Sequence, residues 1–142
     1  MTIREVAHGS AEYWSTIELR MRVLRRPLGL DFTEAELSAE SDEFHLAAFD
    51  QELIGCLVLV PKESGEIKMR QVAVEPRLQK AGVGTALVLA SEELARERGY
   101  ALITLHARDL AVPFYLRLGY EIEGDPFEEV TIPHVKMIKR LL

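Results

Sequence analysis

The most informative segment of the sequence is Val72-Ala73-Val74-Glu75-Pro76-Arg77-Leu78-Gln79-Lys80-Ala81-Gly82-Val83-Gly84-Thr85. It begins as an apolar strand and continues through a loop whose two glycines stand where a helix starts. Free backbone N–H groups and the dipole at a helix N-terminus attract anions, and glycine lets a phosphate approach closely. The segment therefore predicts an anion site, with Lys80 as an added positive charge. The alternative is a glycine-containing turn that only starts the helix.

Two common phosphate-binding motifs do not fit this loop. A P-loop requires Gly-Lys followed by Ser or Thr, whereas Gly84 is followed directly by Thr85. A dinucleotide-binding loop requires a small residue three positions after its second glycine, where Leu87 stands. It also requires an acidic residue at the end of the next strand, where Leu105 and His106 stand. The sequence therefore argues against both nucleotide sites.

Apolar spacing and turn residues on both sides of this segment predict the other elements. Strands are predicted at residues 2–6, 44–49, 53–60, 67–74, 101–105, 120–123 and 135–140. Helices are predicted at residues 10–24, after a capping box at 33–36, at 82–98 and around 111–118. The apolar face of the first helix consists of Tyr13, Ile17, Met21 and Leu24. A helix between the strands at 67–74 and 101–105 implies that these two strands are parallel, so the prediction is an α/β (α+β) fold with one mixed, mostly antiparallel sheet.

Composition limits the class of protein. A chain of 142 residues with 48% hydrophobic and 28% charged residues predicts one globular domain, residues 1–142. Seventeen Lys and Arg against 23 Asp and Glu argue against a nucleic-acid partner. A single cysteine, Cys56, and the lack of Cys/His spacing predict neither a disulfide framework nor a metal site. No apolar run approaches the ~20 residues of a membrane span and no signal pattern begins the chain, so a cytoplasmic protein without a membrane partner is expected.

Two motifs resemble those of one enzyme family. Gln79-Lys80-Ala81-Gly82-Val83-Gly84 resembles the Gln/Arg-x-x-Gly-x-Gly/Ala acyl-coenzyme A loop of the GNAT superfamily of N-acetyltransferases. Tyr115-Leu116-Arg117-Leu118-Gly119-Tyr120 resembles the family's later Tyr-x-x-x-Gly-aromatic motif, and residues 72–74 resemble its fourth strand. The order and spacing of elements agree with small single-domain bacterial members over nearly the whole chain. The resemblance implies that the parallel pair of central strands splays apart and that helices flank the sheet.

The resemblance also implies acetyl-coenzyme A as cosubstrate. Its pantetheine arm would lie along the fourth strand, paired with the backbones of Val72 and Val74, and the loop would wrap its pyrophosphate. The implied cofactor-binding residues are Val72, Ala73, Val74, Gln79, Lys80, Ala81, Gly82, Val83, Gly84 and Thr85. The sequence departs from the family at Arg108, seven residues before Tyr115, where many members have Asn. No contact with the arm is therefore assigned to Arg108.

Tyr115 is the catalytic residue that the resemblance implies. Family members commonly transfer the acyl group directly to an amine, with this phenol near the departing sulfur. Packing beside Phe114 is the alternative role for Tyr115.

The acceptor end is less defined by the sequence. An alkyl amine is mostly protonated at pH 7, and freeing its lone pair costs about 4.6 kcal/mol, so a base or a water path must help. The candidate bases are Glu34, Glu36, Glu43, Glu66 and His134. His134 follows Pro133 at the start of the last strand, and Arg70 alternates with Val72 and Val74. Arg70 and His134 are therefore predicted to bind the acceptor, with a surface ion pair or a structural histidine as the alternatives.

Three functions remain after this reading of the sequence. The first is an acetyl-coenzyme A-dependent N-acetyltransferase acting on a primary amine of a small molecule or peptide, with Tyr115 assisting the leaving thiolate. The second is a non-catalytic module that binds or senses acyl-coenzyme A, and the third is a structural domain whose loop binds nothing. The sequence identifies no acceptor, and it leaves a homodimer open as the assembly.

Overall fold

The computed structural model describes residues 1–141, and its main elements follow the predicted order. The strands are β1 (Thr2–Val6), β2 (Phe44–Asp50), β3 (Glu52–Pro61), β4 (Glu66–Val74), β5 (Leu102–Arg108), β6 (Glu121–Glu129) and β7 (Ile132–Arg140). The α-helices are α1 (Ala11–Arg20), α2 (Glu34–Ala39), α3 (Val83–Glu97) and α4 (Val112–Arg117). The seven strands form one sheet in the order β1-β2-β3-β4-β5-β7-β6.

The pairing of the strands confirms the predicted mixed sheet. β4 and β5 are parallel, with paired residues from Glu66–Leu102 to Met69–Leu105. β1 with β2, β2 with β3, β5 with β7 and β6 with β7 are antiparallel. The parallel pair is possible because α3 provides the crossover between β4 and β5.

The chain forms two compact units. The first consists of residues 1–60 and 71–91, and the second of residues 61–70 and 92–141. β4 and α3 contribute residues to both units, and the single domain expected from the chain length stays a prediction. Among residues 1–141, no helix combines the length and the apolar character that crossing a membrane requires.

In the first unit, helices cover both faces of the sheet. Leu19 of α1 packs with Cys56 and Ala73 in a buried cluster. The neighbouring residue Gly55 faces α3 instead, because a Cβ at Gly55 would stand 3.0 Å from Val83 Cγ1. Since successive residues of a strand point to opposite faces, β3 is enclosed between α1 and α3.

α1 begins as predicted but buries a broader face. Ser10 caps the helix by accepting a hydrogen bond from the backbone N–H of Tyr13 at 3.2 Å. The buried residues are Tyr13, Thr16, Leu19 and Arg20, whereas the other three residues of the predicted face are only half-buried. The α-helix ends at Arg20 and residues 21–25 continue as a π-helix, whose wider turn rotates later side chains away from the α-helical face.

In the second unit, the last two strands are longer than predicted. β6 continues to Glu129 and β7 begins at Ile132, so most of residues 124–134 belong to a hairpin rather than to a loop. The register shifts just before Phe127, and Gly124 has a φ of 83° in this irregular stretch. Turn residues that predict the end of a strand therefore form a bulge that the strands continue past. The extension pairs Phe127 with His134 and Glu129 with Ile132.

Candidate functional site

The loop after β4 lies in the first unit and is held by backbone hydrogen bonds. Residues 76–78 form one turn of 3-10 helix, and Ala81 N–H donates to the carbonyl of Leu78 at 3.0 Å. Lys80 and Gly82 then adopt φ values of 76° and 90°. These left-handed residues turn the chain into α3, and glycine adopts this conformation without steric cost.

The start of α3 presents backbone donors that the helix itself leaves unused. Ala86 N–H donates to the carbonyl of Gly82 at 3.0 Å, which is the first hydrogen bond of the helix. The N–H groups of Val83, Gly84 and Thr85 precede that bond, so they have no acceptor within α3. A Cβ on Gly82 would meet nothing within 4 Å beyond its chain neighbours, so the space at Gly82, next to the first of these donors in the chain, is open. This arrangement fits an anionic group.

A salt bridge holds the entrance to the loop. Arg22, in the π-helix, donates to the Glu75 carboxylate at 2.6 Å, and the backbone N–H of Glu75 donates to the carbonyl of Ile54 at 2.9 Å. The hydrogen bond from Arg22 lowers the pKa of Glu75 below its ordinary value. Glu75 is therefore a structural anion at the loop entrance rather than a candidate base.

A buried network reaches β4 just before the strand residues predicted to bind the cosubstrate. Gln71 has a φ of 55°, a left-handed conformation that is uncommon outside glycine, and its Oε1 accepts from Arg20 Nε at 3.3 Å. Arg20 is fully buried, and its Nη1 donates to Glu40 Oε1 at 2.9 Å. The Tyr13 hydroxyl donates to the same oxygen at 2.8 Å. The network thus fixes the conformation of β4 next to residues 72–74.

The left-handed residue at position 71 changes the argument for Arg70. The prediction that Arg70 shares a face with Val72 and Val74 assumes an unbroken strand, because side chains alternate only along extended backbone. Gln71 interrupts the extended backbone between Arg70 and Val72. The alternation of side chains therefore no longer supports an acceptor role for Arg70. The remaining support for that role is the position of Arg70, directly after the last paired residue of β4 in the parallel ladder.

Tyr115 lies in the second unit, on the short helix α4. It is 8% exposed, and its ring makes edge contacts with Phe114 and Tyr120 at centroid distances of 5.0 and 5.6 Å. Burial raises the pKa of Tyr115 to about 12. The hydroxyl donates no hydrogen bond to another side chain or backbone group within residues 1–141, whereas the hydroxyl of Tyr120 donates to Glu92 at 3.1 Å. Of the two tyrosines, Tyr115 keeps its donor available.

His134 also lies in the second unit, in a separate group of contacts. It is 6% exposed, and its Nδ1 donates to the carbonyl of Ile132 at 2.7 Å. Its Nε2 is 3.6 Å from Glu129, and its ring stacks on Phe127 at 6.0 Å. Arg108, where the family often has Asn, ends β5 as an exposed residue opposite His134.

The other candidate bases are placed differently. Glu36 completes the capping box of α2 with Thr33 and pairs with Arg25 at 3.0 Å, so it is committed to structure. Glu34 is exposed on the same helix, and Glu43 and Glu66 are half-buried. The sequence reading missed His106 and Glu129, which are 3.0 Å apart. Glu129 could have been identified only by predicting that the last hairpin extends to residue 129.

Within residues 1–141, no three His, Cys, Asp or Glu side chains converge in a way that could hold a metal ion.

The fold and loop define a class: a mixed-sheet protein whose glycine loop leads into a helix start with unused backbone donors. Residues 29–141 match the acetyltransferase (GNAT) domain, and the chain belongs to this family. It is an N-acetyltransferase, and the family uses acyl-coenzyme A as the acyl donor.

The chain is similar in sequence to two proteins of Bacillus subtilis and in structure to a solved acetyltransferase. YjcF of Bacillus subtilis (strain 168), an uncharacterized N-acetyltransferase, is 31% identical over 105 residues, which are 73% of this chain and 74% of that protein. YyaT of the same strain, an uncharacterized protein, is 35% identical over 74 residues, about half of each chain (52% and 50%). The crystal structure of an aminoglycoside 6'-N-acetyltransferase complexed with coenzyme A is 21% identical, with a TM-score of 0.84 over 100% of this chain and 98% of that chain. At this identity the likeness shows the fold.

Proposed function

We propose that the protein transfers the acetyl group of acetyl-coenzyme A directly to a primary amine of a small molecule or peptide. The observation that carries the proposal is the set of unused N–H groups of Val83, Gly84 and Thr85 beside open space at Gly82. Coenzyme A brings a pyrophosphate, which is the kind of anion such a helix start binds. The fold shared with an acetyltransferase complexed with coenzyme A supports the same choice.

Each part of the loop has a proposed role in holding the cosubstrate. Residues 79–85 bind the pyrophosphate through backbone N–H groups, with the Lys80 side chain as an added charge. Val72, Ala73 and Val74 bind the amide-bearing arm, because strand backbone offers donors and acceptors to an extended partner. Gln71, fixed by Arg20, sets where that strand segment begins.

The transfer step requires a free amine and a stabilised thiolate. The nitrogen lone pair attacks the thioester carbonyl carbon, the C–N bond forms, and the C–S bond breaks. Tyr115 donates a hydrogen bond to the sulfur as negative charge grows there. Arg70 and His134 act at the acceptor end, where Arg70 would bind an anionic group and His134, whose Nε2 is 3.6 Å from Glu129, would line the acceptor site.

Two measurements test this proposal. The melting temperature is followed with acetyl-, propionyl- and succinyl-coenzyme A, and thiol release is followed with each donor across a panel of alkyl amines, amino sugars and peptides. We expect acetyl-coenzyme A to stabilise the protein by about 2.7 kcal/mol at a hundred times its dissociation constant. We also expect thiol release with at least one amine.

The outcomes separate the remaining functions. An unchanged melting temperature at millimolar acetyl-coenzyme A contradicts the proposal at its first step. Stabilisation without thiol release for any amine identifies a binding or sensing module instead. Release with a longer acyl donor and not with acetyl-coenzyme A contradicts the acetyl assignment alone.

A further inference from the structure

Four titratable side chains, one from each of four strands, form a cluster in the second unit. We call them the Glu129 cluster: Lys68 of β4, His106 of β5, Glu129 of β6 and His134 of β7. His106 Nδ1 is 3.0 Å from Glu129 Oε1, and His134 Nε2 is 3.6 Å from Glu129 Oε2. Lys68 Nζ is 3.5 Å from His106 Nδ1. Phe127 packs against both imidazoles, edge-on to His106 at 4.9 Å and stacked on His134.

The charges of the cluster fix the ionisation of Glu129. Burial raises the pKa of Glu129, but the hydrogen bond from His106 and the charges of His106, His134 and Lys68 lower it more, so its pKa lies below the ordinary value. Glu129 is therefore a carboxylate at neutral pH. Burial also lowers the pKa of Lys68, partly opposed by its attraction to Glu129.

The carboxylate decides which nitrogen of His106 carries the proton. An ionised carboxylate only accepts hydrogen bonds, so the 3.0 Å contact requires a hydrogen on Nδ1. In a neutral imidazole the lone pair then lies on Nε2. A carboxylate that binds Nδ1–H is the arrangement that prepares an imidazole to accept a proton at Nε2.

The two imidazoles of the cluster differ in access. The His106 side chain is 30% exposed, whereas that of His134 is 8% exposed with its Nδ1 committed to the carbonyl of Ile132. Of the two imidazoles, only that of His106 combines an ionised partner with a partly exposed ring.

His106 also lies at an informative place in the sheet. The last paired residues of the parallel ladder are Met69 and Leu105, and His106 is the next residue along β5. β5 itself continues in pairing with β7, where His106 is opposite Lys136. The backbone of His106 is therefore held by its pairing with β7, just past the end of the β4–β5 ladder. Arg70 lies at the same end of that ladder.

We propose that His106 is the general base that deprotonates the acceptor amine and that Glu129 is its positioning residue. This inference rests on the proposed function. His106 Nε2 takes a proton from the acceptor ammonium, and the freed lone pair attacks the thioester carbon. The C–N bond forms and the C–S bond breaks. The nitrogen then loses a second proton, and the departing thiolate gains one, so the products are an amide and a neutral thiol. The imidazolium then returns its proton to solvent.

Several charged groups face His106 and enter its pH behaviour. They are Lys68 from β4, Glu129 from β6, and His134 and Lys136 from β7. Lys136 is itself paired with Glu123 at 3.1 Å. Glu129 is the only anion of this set that contacts the ring directly within residues 1–141.

The first test is His106→Asn, because the Asn amide can still donate to Glu129 but has no basic nitrogen. We expect kcat/KM for an alkyl amine to fall by about 10²- to 10⁴-fold, with unchanged acetyl-coenzyme A affinity and melting temperature. The loss should be smaller for acceptors whose ammonium is more acidic, because they need less help in losing a proton. His8→Asn, an exposed histidine of the first unit, is the matched control.

The second test is Glu129→Gln, with Glu128→Gln as the matched control on the neighbouring, exposed residue of the same strand. Glu129→Gln should move the ascending limb of the pH–rate profile to lower pH and reduce kcat more than it changes KM for the acceptor. Nitrogen-15 NMR of the histidines provides a readout that needs no turnover. We expect neutral His106 to carry its proton on Nδ1 in the wild type and in Glu128→Gln.

The outcomes distinguish a failure of the proposed role of His106 from a failure of the proposed acetyl transfer. If the wild type releases thiol and His106→Asn does so at the same rate, with chemistry shown to be rate-limiting, the role of His106 is overturned and the proposed function stands. If the wild type releases no thiol with any amine, the proposed function falls and the base role falls with it. A neutral His106 protonated on Nε2 overturns the arrangement independently of any activity.

Discussion

The Tyr115 phenol stays protonated at neutral pH because burial raises its pKa to about 12. An ordinary thiol has a pKa of ~8.5, so full transfer of this proton to a thiolate would be uphill by about 5 kcal/mol. Tyr115 is therefore expected to act as a hydrogen-bond donor whose bond strengthens as charge grows on sulfur. Its hydroxyl is suited to this role because no side chain or backbone group within residues 1–141 accepts its proton.

Tyr115→Phe removes only that hydroxyl. We expect turnover with an alkyl amine to fall at least about tenfold, a loss of ~1.4 kcal/mol in the transition state, with little change in coenzyme A affinity or melting temperature. Tyr120→Phe provides the contrast, because it removes the hydrogen bond that the Tyr120 hydroxyl donates to buried Glu92, so it should lower the melting temperature. Steady-state kinetics and thermal unfolding check both variants. Wild-type turnover by Tyr115→Phe would make Tyr115 a packing residue.

The two loop glycines differ in what they require. Gly82 has a φ of 90°, so a side chain there strains the backbone by about 1–2 kcal/mol even though the space around it is open. Gly84, in the first turn of α3, does not have a positive φ. A loss of binding in a Gly82 variant would therefore mix backbone strain with lost contacts, and Gly84 is the better test position.

Gly84→Val is expected to weaken acetyl-coenzyme A binding far more than it lowers the melting temperature, because its side chain occupies the space beside the free N–H groups. Lys80→Ala should cost less affinity, since the backbone donors are still present, and Arg77→Ala serves as a control on an exposed residue of the same loop. Calorimetric titration with acetyl-coenzyme A measures all three. An equal loss of stability and affinity in Gly84→Val would indicate that the glycine serves only the packing of α3.

At the scale of elements, a buried ion pair joins α1 to the 3-10 turn after α2, and a hydrogen bond joins α1 to β4. Arg20 and Glu40 are 0% and 2% exposed, and Arg20 also reaches Gln71 in β4. Burial raises the pKa of Glu40, but the hydrogen bond and charge of Arg20 lower it more, so the pKa in the folded protein lies below its ordinary value of 4.5. Removing one partner of such a pair leaves the other charge buried and unpaired.

Glu40→Gln is therefore expected to destabilise the protein by about 3–5 kcal/mol at neutral pH. Because the folded-state pKa is lowered, the contribution of Glu40 is fully present above its ordinary pKa and disappears as pH falls below that value. The wild type should thus lose stability in acid more steeply than Glu40→Gln. Denaturant unfolding between neutral and acidic pH measures both effects.

Glu12→Gln is the control for that experiment, because Glu12 belongs to an exposed ion pair with Arg4. Its stability should hardly change, since exposed pairs are well screened. Equal stabilities of Glu40→Gln and Glu12→Gln would contradict the importance of the buried pair.

At the scale of the whole molecule, the prediction of one domain can be tested against the two compact units. Trp14, the only tryptophan, reports on the first unit, whereas far-UV circular dichroism reports on all elements. We expect the two unfolding transitions to coincide, because a chain of this size normally unfolds in a single step. Acetyl-coenzyme A should move both midpoints together. A Trp14 transition that precedes the other would show two independently unfolding units.

The local parts of the fold were predictable from sequence. Ser10 and Thr33 cap their helices as predicted, and the glycine loop leads into α3 where the spacing places it. These features depend on residues only a few positions apart, so the sequence contains the whole interaction. The end of β6 was predicted wrongly because Gly124 and Pro126 are turn residues in most settings.

The order of elements, the parallel central pair and the glycine loop before α3 were all readable from the residues, because each follows from local periodicity and backbone conformation. Which polar side chains meet depends instead on the packing of distant segments. Glu129 reaches His106 across 23 positions, and Arg20 reaches Gln71 across 51. Such contacts depend on strand register and on how far a hairpin extends, and a shift of one residue would turn each side chain to the other face.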